Sequence, residues 1–521
     1  MQGKCSKTIR KRAEAMYKGS RKEQTELDFE DFFLPFGGKL RSNNRWVMMS
    51  KIIPWDFAEE EYSRHFGDTG NPAKNFRVAL GSLIIKERLG LTDEETVLQI
   101  QENPYLQYFI GYNAYRDEKP FDSSLMVHFR KRINLDFVQK MNEKICGSLT
   151  SGKSASDLSN ETRNNSDEDD DDESPPSGKL LIDATCAPED MRYPTDVSLL
   201  NESRELTEKV IDVLWDSSTQ PDKGLKPRTY RKKARKCFVG YTKQRRPSSR
   251  IVQKTIGKQL GFIKRNLGHI TAMTENGYSL SVLDRHLYKK LLVVSEVYRQ
   301  QCEHRKVYRE TGRHRVADRI VSISKPHVRP IIRGKASAAV EFGAKISVSV
   351  IDGKVFLDRL DWNAYNECND LVEQAEAYRR RTGRYPESIL ADRLYQTREN
   401  KRWCNEKGIR LSGAKLGRPF KNPDENTAIL KQRYQDDVDR IEIEGKFGVA
   451  KRRYGMNRLM TKLRETSEMS IAMTFLVMNL MKVLLSPFFL SIKRVKNGVS
   501  NLLWLVKHHL NYPGQVFVAG I

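Results

Sequence analysis

Residues 436–455, DDVDRIEIEGKFGVAKRRYG, give the first clue to the architecture of the chain. In a helix, Arg440 and Glu444 lie one turn apart and Lys451 continues the same stripe, which places a carboxylate between two cations. Gly448 leaves a shallow place on that stripe, although a glycine inside a helix costs about 1 kcal/mol relative to alanine. The stretch is therefore either a solvated helix with ordinary ion pairs or a helix whose backbone a bulky ligand approaches.

Two aspartates upstream follow short apolar runs that are typical of buried strands. Asp183 lies in KLLIDATCA, and Asp392 lies in ESILADRLY. Between them, residues 342–350 alternate apolar with small or polar side chains, and an Asp-Gly turn at 352–353 leads into the second strand of a hairpin. The order strand, insertion, hairpin, helix, strand, helix, strand, helix predicts a ribonuclease-H-like α/β core, with a mixed sheet flanked by helices.

Such a core brings three carboxylates together, those of Asp183, Asp392 and Glu444. Converging carboxylates repel one another unless a cation neutralises them, and hard oxygen ligands suit Mg²⁺ or Mn²⁺. Two such ions in one active site can activate a water or a sugar 3′-hydroxyl and stabilise the leaving oxygen of a phosphodiester. The constellation predicts phosphoryl transfer on DNA, with these three residues as catalytic and metal-binding groups.

The bulk composition points to the same class of partner. The chain has 521 residues and a formal net charge of +24, and this excess persists despite seven consecutive acids at 167–173. A basic excess of this size favours nucleic acid as the partner. Seven cysteines without a CxxC pair and nine histidines without an HExxH pattern predict reduced thiols and no zinc site. The basic N-terminus lacks an apolar run, so we expect a cytoplasmic, nucleoid-associated protein.

Periodicity and composition divide the chain into five parts of distinct character. The predicted boundaries are 1–45 for a loosely ordered arm, 46–150 for an all-helical DNA-binding domain, 151–178 for an acidic disordered linker, 179–465 for the catalytic domain and 466–521 for C-terminal helices and a tail. The apolar run at 469–492 contains Asn, Lys and Pro, which favours a buried helix over a membrane span.

Basic side chains outside the carboxylate cluster are candidate DNA contacts. In the helical domain, a Ser-capped helix carries Arg130 and Arg132, which suits either a helix-turn-helix-like reader or a helical bundle without groove contact. A mainly helical insertion at about 216–325 contains residues 226–246, with ten Lys or Arg, no acid and interleaved aromatic residues. The candidates there are Arg231, Lys232, Lys233 and Arg235.

The segments named so far resemble the DDE transposases of bacterial and archaeal insertion sequences, specifically the insertion-sequence-five-like group. The resemblance covers about residues 45–485 and includes LLIDATCAPEDMRYPTD, YPESILADRLYQTRENKRWC and IEGKFGVAKRRYG. It implies that Asp183, Asp392 and Glu444 are the metal-binding triad, and that Arg440 and Lys451 hold phosphates of the element end. It also implies recognition of terminal inverted repeats by a homodimer on paired ends.

The resemblance fails at one position of the family signature. The signature of tyrosine, two residues, arginine, three residues, glutamate, six residues and lysine matches at Arg440, Glu444 and Lys451, but Asp437 replaces the tyrosine. Three functions remain open from the sequence. The chain is an active transposase, a catalytically inactive or domesticated DNA-binding protein, or a metal-dependent nuclease that shares the site.

Overall fold

A computed structural model describes nine stretches of the chain. They are residues 32–34, 37–64, 66, 73–147, 176–217, 225–312, 317–332, 340–413 and 423–486. The acidic run at 167–173, most of the predicted linker and most of the predicted N-terminal arm lie outside the described residues.

The N-terminal part of the described chain is helical, as predicted. Its helices are α1 (Arg45–Ser50), α2 (Trp55–Ser63), α3 (Phe76–Leu89), α4 (Asp93–Glu102), α5 (Pro104–Phe109), α6 (Leu125–Arg132) and α7 (Leu135–Gly147). The predicted helix boundaries have clear local causes. Gly90 ends α3 with φ +70°, and the side chain of Thr92 accepts a hydrogen bond from the Glu95 N–H to cap α4.

A single mixed sheet forms the centre of the remaining chain. Its strands are β1 (Lys179–Pro188), β2 (Arg329–Ile332), β3 (Val340–Ile351), β4 (Lys354–Asp361), β5 (Ser388–Leu390) and β6 (Arg410–Leu411). β1 pairs antiparallel with β3 and parallel with β5, and β5 pairs parallel with β6. β2 and β4 both pair with β3. The mixed α/β architecture and the hairpin of β3 and β4 are thus confirmed.

Helices cover both faces of the sheet. One face carries α12 (Leu371–Thr382) and α13 (Arg398–Glu406), which pack on apolar residues of β1 and β5 such as Ile182 and Ile389. The other face carries α14 (Pro423–Arg453) and α15 (Arg464–Leu484). The N-terminal helices belong to the same apolar core as this second face. The predicted boundary between the helical domain and the α/β domain therefore separates parts that share one core.

The basic insertion lies in a helical bundle. Its members are α8 (Asp196–Ser217), α9 (Arg231–Thr242), α10 (Ser249–Glu275) and α11 (Arg285–Thr311). α8 packs against both α10 and α11, and α9 packs mainly on α10. The helix that we place before the insertion, α8, is therefore the central member of the bundle.

Helix α15 is long and apolar enough to cross a membrane by length and composition, but most of its apolar stretch is buried within the protein. It packs against α7, α3, α6 and β4. Its one amide, that of Asn479, is buried and accepts a hydrogen bond from the Val355 N–H (2.8 Å), while its Nδ2 donates to Val355 O (2.7 Å) and Asn142 Oδ1 (2.8 Å). The polar residue in the apolar run therefore pairs with strand β4.

We expect Asn479→Leu to lower the free energy of unfolding by about 2 kcal/mol, because the Val355 N–H is left buried without a partner. Urea unfolding followed by circular dichroism measures the change. The neighbouring substitution Met478→Leu conserves volume and should cost less than about 1 kcal/mol. Equal losses in the two variants would show that the amide pairing contributes nothing of its own.

The carboxyl of Glu87 on α3 accepts a hydrogen bond from Thr474 Oγ1 on α15, and burial raises its pKa to about 7. The folded state thus keeps a proton that the unfolded state releases above about pH 4.5. Stability from this group falls as the pH rises from about 4.5 to 7 and is level above that window. We expect Glu87→Gln to remove this fall and to stabilise the protein by on the order of 2 kcal/mol at pH 8. Unfolding free energies of both proteins at pH 5 and pH 8 test this, and equal pH dependence would contradict it.

Candidate active site

The first predicted carboxylate lies inside a strand. The sequence predicts Asp183 at a strand end, but β1 continues to Pro188, paired antiparallel with β3. Pairing of β1 with β5, by contrast, stops at Leu181. Asp183 therefore lies just beyond the part of β1 that pairs with β5. Its Oδ1 accepts a hydrogen bond from the Ala184 N–H (2.8 Å).

The register of the parallel pair places the second carboxylate beside the first. Leu181 of β1 is opposite Leu390 of β5, so Asp183 and Asp392 each come two residues after a paired position. Asp392 caps a short 3₁₀ helix at 393–395, and its Oδ1 accepts a hydrogen bond from the Arg393 N–H (2.6 Å). Because neighbouring parallel strands run together, the two side chains emerge at the same end of the sheet.

Ion pairs hold helix α14 against the sheet near the amino ends of β1 and β6. Arg410 of β6 makes a bidentate pair with Asp436 (2.6 and 2.8 Å), and Lys179 of β1 pairs with Asp439 (2.6 Å). The next residue, Arg440, is largely buried, so its guanidinium points toward the sheet. The predicted stripe of 436–455 is therefore the face of α14 that meets the ends of β1 and β5.

The guanidinium of Arg440 lies between the carboxylates. It is 3.9 Å from Asp392 Oδ1 and 3.9 Å from Glu444 Oε1. Its Nε is buried and has no hydrogen-bond partner. The structure thus brings the three predicted acids together around one cation. Their catalytic and metal-binding roles stay predictions, since a conformation alone does not test them.

Lys451 reaches the same region from the far part of α14. Its Nζ donates a hydrogen bond to Thr185 Oγ1 (2.9 Å), and Thr185 lies two residues after Asp183 on the same face of β1. The second basic residue of the signature therefore lies close to Asp183, and its contact with a phosphate stays a prediction.

Burial and neighbouring charges shift the pKa of Asp183. Burial raises the pKa of Asp183 to about 6, and the hydrogen bond from Ala184 and the charge of Arg440 lower it only in part. The charges of Glu367 and Asp392 raise it further. Burial is thus the main cause of the raised pKa, and the neighbouring acids add to it.

Sequence reasoning missed two polar groups next to the site. Glu367 pairs with Lys345 of β3 (2.5 Å) and adds a fourth negative charge near Asp183. Tyr395 is fully buried, and its hydroxyl has no hydrogen-bond partner. Burial and the nearby charges of Glu367 and Asp183 raise the pKa of its phenol. Both residues come close to the site only through tertiary packing, so no local pattern could identify them.

The three predicted carboxylates can be assessed as ligands for the metal ion that the sequence predicts. Within the described residues, no three His, Cys, Asp or Glu side chains lie close enough together to hold a metal ion. Carboxylates from β1, the end of β5 and α14 are nevertheless hard ligands that suit Mg²⁺ or Mn²⁺. The chemistry of these residues fits a divalent cation, and Arg440 supplies the positive charge between them.

Comparison with known proteins finds two transposase families. Residues 389–481 match a family described as Transposase DDE domain, and residues 35–132 match one described as Transposase domain (DUF772). The first match contains Asp392, Arg440, Glu444 and Lys451, while Asp183 lies between the two matches. Two parts of the chain are thus similar to transposases, and one of them to their DDE domain.

One relative is similar over part of its length. The chain is 29% identical over 153 residues to the uncharacterized protein ORF8 in the nfe locus of Rhizobium meliloti, which is 29% of this chain and 66% of that protein. The chain thus spans slightly less than two thirds of that relative. No solved structure matches the chain significantly.

The structure corrects one predicted DNA contact. Arg130 on α6 is buried and makes a bidentate pair with Asp93 on α4 (2.9 and 2.6 Å), so its guanidinium is not available to a DNA groove. Arg132 is half-buried, with its guanidinium 4.4 Å from the ring centre of Phe66. The predicted cap is also absent, since the side chain of Ser124 makes no hydrogen bond to the start of α6. Of the two interpretations of this helix, these contacts favour a bundle without groove contact.

The predicted basic residues of the insertion lie at the surface of the protein. Arg231 begins α9 and pairs with Asp212 of α8 (2.8 Å). Lys232, Lys233 and Arg235 are exposed on the same helix. Of the four candidates in α9, these three present their charge to solvent, and their contact with DNA stays a prediction.

Proposed function

We propose that this protein is a transposase that hydrolyses a phosphodiester at each end of an insertion sequence and joins the freed 3′-hydroxyl to target DNA. The observation that carries the proposal is the meeting of Asp183, Asp392 and Glu444 around Arg440 at one end of the sheet. A ribonuclease-H-like core is part of the proposal. β1 lies between an antiparallel hairpin and two parallel strands, and this is the element order that the resemblance implies.

The three carboxylates would hold two Mg²⁺ or Mn²⁺ ions, which activate the attacking water or 3′-hydroxyl and stabilise the leaving oxygen. The side chains of the chain itself then divide two tasks. Asp183, Asp392 and Glu444 bind the metal, and Arg440 and Lys451 bind phosphates through their positive charge. Arg440 is suited to a role with and without DNA, because it offsets part of the negative charge of the carboxylates in the free protein and carries five donors for a phosphate.

Partners and location follow from the same proposal. The substrate is double-stranded DNA, as element ends with inverted repeats and as target, and a homodimer binds the paired ends. The net charge of +24 supports DNA as the partner. A nucleoid-associated, cytoplasmic location and the absence of a membrane anchor are parts of the proposal too.

Cleavage of the DNA that flanks the gene tests the proposal. Duplexes labelled at the two candidate ends are incubated with the full chain in Mg²⁺, in Mn²⁺ and in EDTA. We expect a nick with a 3′-hydroxyl at the element end and joined products with a target plasmid, both only with metal. Cleavage without joined product would favour a simple nuclease.

A DNA-binding protein without cleavage is the second candidate. It is favoured by Asp437 at the place of the signature tyrosine, and by the strong basic charge of the chain. Tight binding of the end duplex with no product in either metal would support this function over transposition.

A further inference from the structure

A surface groove separates helices α10 and α11 of the insertion bundle. It measures about 470 Å³ and lies well away in sequence from the carboxylate cluster. Two glycines leave α10 without side chains at successive turns, which keeps the groove open. The residues that matter here are Gly257, Gly261 and Lys264 on α10, and Arg305, Lys306 and Arg309 on α11.

Arg305 forms one wall of this groove. Its guanidinium covers Gly257 so closely that a β-carbon there would collide with it. The Nε of Arg305 is buried and has no hydrogen-bond partner. Burial and the charge of Arg309 lower the pKa of Arg305, while Cys302 raises it. Among the residues that the structure describes, Arg305 forms no ion pair with a carboxylate.

The charges around the groove are strongly one-sided. Four cations line it, from Lys264, Arg305, Lys306 and Arg309, against the single acid Glu310. The same helix shows the opposite arrangement two turns earlier. There Arg299 pairs with Glu296 (2.7 Å) and with Glu303 (3.2 Å). The C-terminal half of α11 thus concentrates cations that an anion from outside would neutralise.

We propose that this groove binds phosphates of the DNA backbone. The proposal rests on the proposed function, since it assigns a second contact region to the same substrate. Arg305 and Arg309 lie four residues, or about 6 Å, apart along α11, and Lys264 adds a cation from α10. This arrangement suits a run of phosphates better than one small anion. The exposed basic helix α9 packs on α10, one of the two helices that line the groove.

Salt-dependent binding of the full chain to a labelled duplex of arbitrary sequence tests the groove. We compare the parent with Arg305→Gln, Arg309→Gln and the control Arg299→Gln. Each lost phosphate contact should reduce the slope of log K against log salt concentration by about 0.9, which corresponds to about fivefold weaker binding at 0.15 M salt. Arg299→Gln should keep the parent slope. Parent slopes for both groove variants, or an equal change in the control, would overturn the proposal.

Two further measurements separate the alternatives. Thermal unfolding of Arg305→Gln should match or exceed that of the parent, because no ion pair is lost; a clear destabilisation would assign Arg305 a structural role instead. If inorganic phosphate raises the Tm of the parent only, while the slopes for DNA are unchanged, the groove binds free anions and the assignment to DNA is wrong. Reduced slopes in a chain that never cuts DNA would contradict transposition and leave the groove assignment in place.

Discussion

Replacement of Asp183 by asparagine is expected to slow end cleavage by on the order of 10³-fold or more. Loss of one metal-binding charge removes several kcal/mol of transition-state stabilisation, and each 1.36 kcal/mol is a factor of about ten. Asp392→Asn and Glu444→Gln should act similarly. The fraction of labelled end duplex that is cut in Mg²⁺ under single-turnover conditions measures the effect.

The control for these variants is Glu442→Gln on the same helix. Glu442 is exposed and pairs with Lys446 (3.6 Å), so its loss should leave the cleavage rate within about twofold of the parent. Binding of the end duplex should be retained by all three triad variants, because removing an acid near a phosphate does not weaken attraction to DNA. A single triad variant that cuts at the parent rate would refute the shared metal site.

Arg130→Ala is expected to lower the free energy of unfolding by about 3 kcal/mol. The substitution removes one partner of a buried bidentate pair, for which losses of about 3–5 kcal/mol are typical. We place the value at the lower end, because Asp93 keeps a second partner in Lys86 (2.9 Å). Urea unfolding of the full chain measures the change.

The neighbouring Lys131 provides the matched comparison, since it is exposed on the same helix. Lys131→Ala should change the unfolding free energy by less than about 0.5 kcal/mol. If Arg130→Ala unfolded like the parent but bound DNA more weakly, Arg130 would be a DNA contact after all, and its buried pairing would not represent the protein in solution.

Elements with a local signal were predictable from the sequence. The turn between β3 and β4 needs two residues with positive φ, and Asp352 (50°) and Gly353 (76°) supply them. The cap of α4 at Thr92 is equally local. Long apolar helices such as α15 follow from their composition. In each case the physical cause lies within a few residues of the chain.

The site was predictable only in part, because its geometry depends on distant pairings. Asp183 and Asp392 are neighbours through the register of β1 and β5, which no spacing in the sequence encodes. The family resemblance, rather than periodicity, selects these two from the many aspartates. The prediction that Arg130 contacts DNA has the same limit. A basic residue on an amphipathic helix gives the same local sequence pattern whether it pairs with an acid of another helix or faces solvent. Tyr395 and Glu367 carry no local signal at all.

The position of α15 has a consequence for shortened gene products. This helix packs against α3, α6 and α7, and it contacts strand β4 through Asn479. A frameshift or stop codon upstream of Arg464 would remove α15, and with it the packing surface of both the N-terminal helices and the sheet. We expect such a product to expose the apolar residues of both parts that α15 covers, and therefore to be a poor competing repressor of the intact protein.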